Sequence, residues 1–172
     1  MTKAIHSIRF EQFQLPLVVD VSSNLLQLGI PSHDAWDKIV VDEGQAMQGL
    51  FRAVNLLFED HSSSLNCVDC IFFCSGPGST LGIRIAAAFV KTVLWQASQK
   101  IAFFQYNALD LAACMIEGET KSIQAPYRLG KRFVRTGNRG QIGDKIILDE
   151  AIALQNHPES LHLTGGRPSR DR

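Results

Sequence analysis

Two stretches of this chain hold residue types that can act on a phosphate. The first is Asp20-Val21-Ser22-Ser23-Asn24, at the end of the apolar run Leu15 to Val21. A carboxylate at a strand end can position a metal ion or a water beside a phosphate. The second is Gly76-Pro77-Gly78-Ser79-Thr80, which opens a helix and carries Arg84 about one turn in. Backbone N–H groups at a helix N-terminus attract anions. The stretch lacks the Gly-Lys-Ser/Thr ending of a P-loop. Spacing alone therefore favours a plain strand-to-helix turn, with Gly82 allowing close packing and Arg84 meeting carbonyls or an acidic side chain.

Little else in the chain suggests an active centre. His6, His33, His61, His157 and His162 are scattered, with no pair at i, i+4. No serine or cysteine sits in a nucleophile elbow. Glu117 and Glu119 fall in an expected loop. Three cysteines cluster as Cys67-Val68-Asp69-Cys70-Ile71-Phe72-Phe73-Cys74, and Cys114 stands apart. If Val68 to Cys74 is a buried strand, residues three apart point to opposite faces. No second Cys/His pair at zinc spacing follows, so the cysteines read as small buried hydrophobes and no metal is expected.

The elements that must position these loops follow from periodicity. Leu15 to Val21, Leu25 to Ile30 and Lys38 to Val41 read as three successive strands, the last two separated by a Pro31-Ser32-His33-Asp34 turn. Met47, Leu50, Phe51, Val54, Leu57 and Phe58 then lie on one face of a helix over 44–59. A second line on it, Ala46, Gly49 and Ala53, is small enough to admit another helix. A strand over 68–74 leads into the Gly-Pro-Gly loop, where Ser79 is placed to cap a helix over 80–98. That helix is apolar nearly all round, apart from a stripe through Arg84 and Lys91, so something should cover its second face. A strand over 100–105 and a helix over 108–117 complete the pattern β-β-β-α-β-α-β-α. Beyond it, Ile123 to Leu129, Arg132 to Thr136 and Lys145 to Leu148 are expected to be extended.

Composition excludes several classes. The 172 residues are 45% hydrophobic and 20% charged, a globular mixture. The apolar run Ile85 to Val90 falls far short of the roughly 20 residues a membrane span needs. Met1 to Gln14 has no apolar signal-peptide core, and a cytoplasmic location is expected. The 17 basic and 17 acidic side chains cancel. The balance is uneven, however: residues 121–145 carry seven basic side chains against Asp144 alone, a net of +6. Such a stretch is either a solvated hairpin or a contact for RNA phosphates or an acidic partner.

The run Ser75-Gly76-Pro77-Gly78-Ser79-Thr80-Leu81-Gly82-Ile83-Arg84-Ile85 resembles the Gly-Pro-Gly-Ser-Phe-Thr-Gly-Leu/Val-Arg-Ile signature of the TsaB (YeaZ) family. Val18-Val19-Asp20-Val21-Ser22-Ser23 is similar to that family's opening strand, and the similarity extends over roughly 15–113. The sequence departs from the signature at Thr80-Leu81, and Gln45 stands near the family's usual histidine. The family's Asp-Ala-Arg strand is not found.

The resemblance implies an α/β fold with an actin-like (ribonuclease H-like) lobe, followed by a truncated second lobe. Expected divisions are an N-terminal extension over 1–14, the actin-like lobe over 15–118, a shortened C-terminal lobe over 119–160 and a disordered tail over 161–172. It implies a role in making threonylcarbamoyladenosine in tRNA, as a non-catalytic, dimerisation subunit that pairs with TsaD and is joined by TsaE. A homodimer is expected when the partner is absent, and tRNA contact would be indirect. Pairing through the two helices would use Met47, Leu50, Phe51, Val54, Ile83, Ala87, Val90 and Leu94. No cofactor is expected. The competing reading is a small ATPase or phosphotransferase, binding nucleotide through Asp20, Gly76, Gly78, Ser79 and Arg84.

Overall fold

A computed structural model describes residues 12–32, 35–60, 63–115, 121–138 and 141–163. Its elements run β1 (Pro16–Asp20), β2 (Leu26–Pro31), β3 (Trp36–Asp42), α1 (Ala46–Leu57), β4 (Cys70–Cys74), α2 (Thr80–Gln96), β5 (Ala102–Tyr106), α3 (Ala108–Met115), β6 (Lys121–Arg128), β7 (Lys131–Asn138), β8 (Gln141–Asp149), α4 (Glu150–Asn156) and β9 (Leu161–His162). The first eight follow the expected order. The tail beyond 163 and the N-terminal extension before 12 lie outside the described residues.

β1 to β5 form one sheet in the order β3-β2-β1-β4-β5. β2 runs antiparallel to both its neighbours, whereas β4 is parallel to β1 and β5. This mixed order is that of an actin-like (ribonuclease H-like) lobe. α1 and α2 lie on the same face of the sheet. Leu17, Val19 and Val21 of the first strand and its end, Leu28 of β2 and Ile71 of β4 are buried there against Leu50, Ala53 and Leu57 of α1 and Ala86 and Val90 of α2. Burying one such aliphatic side chain contributes about 1.5–3 kcal/mol. On the opposite face Phe72 and Phe104 stack at 5.2 Å, with Phe13 edge-on to both.

Gly49 in the small line on α1 makes room for the end of β3. A Cβ on Gly49 would come 2.9 Å from the Asp42 carboxylate at the end of β3. That carboxylate is held by Arg52 of α1, whose Nε donates to Oδ2 at 2.7 Å, and by the Gly44 amide at 2.6 Å. These bonds and the guanidinium charge keep the Asp42 carboxyl below the ordinary carboxylate range.

The remaining strands make a second sheet, β8-β7-β6-β9. Leu109 and Ala113 of α3 are buried on Ile123 and Ala125 of β6. On the opposite side Gln124 is fully buried, and its Nε2 donates to the Ala153 carbonyl of α4 at 3.1 Å and to Ser160 Oγ at 3.0 Å. The basic stretch thus spans the antiparallel hairpin β6–β7 and the start of β8, within a packed sheet. Helix α4 and strand β9 were not expected from the sequence.

One cysteine assignment is corrected. Cys67 is exposed, in a 3-10 turn over Leu65–Cys67, because the strand begins only at Cys70. Cys70 and Cys74 are buried as expected. Burial, with Asp69 nearby, pushes the Cys70 thiol up to about 12.

Candidate functional site

Asp20, Cys74 and Tyr106 end three neighbouring parallel strands, β1, β4 and β5, on one face of the sheet. Asp20 does not stand free. Its Oδ1 accepts from the Ser22 amide at 2.8 Å and from Ser22 Oγ at 2.6 Å, folding the chain back on itself after β1. Cys74 Sγ donates to Ser22 Oγ at 3.6 Å. Burial, then the Asp20 charge, pushes the Cys74 thiol up to about 11. The same two causes hold the Tyr106 phenol well above its usual range. The carboxylate therefore faces two protonated neighbours. Cys74 and Tyr106 escaped the sequence reading, because only the strand register brings them beside Asp20.

The Gly-Pro-Gly loop is packed backbone to backbone against this turn. Gly76 has φ +104, a conformation L side chains rarely adopt. A Cβ on Gly78 would fall on the Ser22 carbonyl, and one on Gly82 would fall on the Val21 carbonyl. The Ser79 amide donates to the Ser22 carbonyl at 2.6 Å. Ser79 Oγ accepts from the Gly82 amide at 3.1 Å, the N-cap bond expected of it. The loop's far side is tied to β5 and to the start of α3: the Ser75 amide donates to the Tyr106 carbonyl at 2.9 Å, and the Ala108 amide to the Gly76 carbonyl at 2.8 Å. Asp20, Gly76, Gly78 and Ser79 are thus brought together, while Arg84 is an exposed residue of α2 that makes no hydrogen bond to them. Among the described residues no cluster of three or more His, Cys, Asp or Glu could hold a metal ion.

The two helices show a different character. Met47 and Phe51 of α1 are 59% and 61% exposed, and Leu81 and Trp95 of α2 are 67% and 92% exposed. Val54, Ile83, Ala87 and Leu94 are half-buried against the core. Leu50 and Val90 lie under 4% exposed and hold the helices on the sheet, so they offer no area to a partner. Leu81 and Trp95 were missing from the expected set because α2 is apolar on nearly every side. Periodicity alone does not say which side meets the sheet.

Fold and loop define the class: an actin-like α/β lobe whose first strand and second helix are locked together by a glycine loop. The sequence matches no family model and no curated protein. Among solved structures the chain is similar to "YeaZ from Pseudomonas aeruginosa", with a TM-score of 0.61 and 19% identity over 78% of this chain and 66% of that one. The same figures hold for an uncharacterized protein described as similar to peptidase YEAZ from the same organism. The chain thus shares the YeaZ fold while spanning just under two thirds of that protein's length. No helix among the described residues is long and apolar enough to cross a membrane.

Proposed function

We propose that this chain is a TsaB-type subunit of the tRNA threonylcarbamoyladenosine transferase complex, non-catalytic itself and pairing with TsaD across α1 and α2. The observation that carries this reading is the apolar surface on those two helices, with Met47, Phe51, Leu81 and Trp95 all more than half exposed. Apolar area of this kind marks a surface for another protein. The YeaZ fold and the Gly-Pro-Gly loop supply the family context.

The state of the loop supports a scaffold over an enzyme. Asp20 accepts two bonds from Ser22, and the Ser79 amide is spent on the Ser22 carbonyl. In this arrangement Asp20 Oδ1 and the Ser79 amide are both taken up within the chain, which leaves fewer groups for a nucleotide phosphate. Co-expression with the TsaD of its own organism, followed by sizing, tests the proposal. A stable one-to-one complex supports it. A chain that stays alone and binds ATP moves the function to Asp20 and the loop.

A further inference from the structure

The described basic side chains of the second sheet fall into two groups. Three are neutralised: Arg135 by Asp110 at 3.0 Å, Arg132 by Glu150, and Lys131 by Asp149 at 3.6 Å. Two have no carboxylate partner among the described residues. Arg128 lies over the Tyr127 ring, 5.1 Å from its centroid, and Lys145 lies over the Phe133 ring at 5.5 Å. The two rings touch, with centroids 4.5 Å apart. Tyr127 is 38% exposed, and the apolar Ile147, paired with Phe133 on the edge strand β8, is 46% exposed.

We propose that Tyr127, Phe133, Arg128 and Lys145 form a binding site for a short single-stranded nucleic-acid segment. The exposed Tyr127 ring, backed by the half-buried Phe133, can stack a base of any sequence once Arg128 swings off its face, and Arg128 and Lys145 then meet the neighbouring phosphates. An acidic protein segment would be drawn to the cations but would gain nothing specific from the ring pair. The fixed ion pairs matter as well. Among the described side chains of this sheet, Arg128 and Lys145 are the cations without a carboxylate partner, so the site is small and its salt dependence shallow. The inference does not depend on pairing with TsaD.

The test is fluorescence anisotropy of the full chain with a labelled ten-nucleotide single-stranded RNA of mixed A and U, across a salt series. Two phosphate contacts predict a slope of log K against log salt near about −1.4. Tyr127→Ala should weaken binding about tenfold or more. Lys145→Gln should halve the slope, and Lys100→Gln, an exposed cation elsewhere, should change nothing. No binding at low salt would overturn the proposal. So would full binding by Tyr127→Ala, or equal competition by poly-glutamate, either of which would mark a charge-only surface.

Discussion

The Ser79 amide and the Ser22 carbonyl, 57 positions apart in the chain, are joined by a 2.6 Å hydrogen bond that closes the Gly-Pro-Gly loop onto the end of β1. Glycine at 78 permits the contact, since any side chain there would overlap the Ser22 carbonyl. Backbone cannot yield as a flexible side chain does. Gly78→Ala should therefore cost about 1–3 kcal/mol or more, the range of overpacking, read as a lower urea midpoint. Ser79→Ala should cost about 1 kcal/mol through the lost cap. An unchanged midpoint for Gly78→Ala would show that the loop lies free of the strand.

Adjacent positions on α1 should behave as opposites. Leu50 is 1% exposed and Phe51 61% exposed. Leu50→Ala should destabilise the chain by about 2–5 kcal/mol, whereas Phe51→Ala should stay within about 0.5 kcal/mol. Thermal or urea unfolding of the two variants checks this directly.

The buried thiols predict a loss of stability in alkali. Folding raises the Cys70 and Cys74 thiols from an ordinary value of 9.0 to about 12 and about 11. The unfolded chain therefore releases these protons first. Their contribution is intact below about pH 9 and is lost as pH climbs from there toward 11–12. Unfolding free energy should fall across that window, less steeply in Cys74→Ala. In native protein at pH 8, Cys67 should react with a thiol reagent before Cys70 and Cys74 do, because it alone of the three is exposed.

Much of this fold was legible in the sequence, and the reasons are local. Period-two and period-3.6 patterns placed β1 to α3, and the Ser79 cap and the glycine loop fixed where α2 begins. The misses are tertiary. Gly49 was read as able to admit a helix or as merely tolerated, and the role it has, making room for the Asp42 carboxylate on β3, was not visible. Cys67 was read as buried beside a strand over 68–74, but that strand starts at Cys70 and Cys67 is exposed. Asp149-Glu150 could have signalled α4, but its seven residues are too few to show a face, and only Ala153 is buried. At the site, Asp20 was visible as a strand-end carboxylate, while its neighbours Cys74 and Tyr106 depend on strand register.

Nucleotide binding separates the two functional readings. On the scaffold reading, titration of the isolated chain with magnesium ATP should give no saturable heat, for the wild type and for Asp20→Asn alike. Saturable binding that Asp20→Asn abolishes would favour the phosphotransferase reading.

If the exposed face of α1 and α2 binds another protein, sedimentation velocity of the chain mixed with TsaD should reveal it, with Phe51→Glu as the comparison. The wild type should form a one-to-one complex, and a folded Phe51→Glu chain should sediment alone. A Phe51→Glu chain that still forms the complex, or a wild type that never does, would contradict this reading.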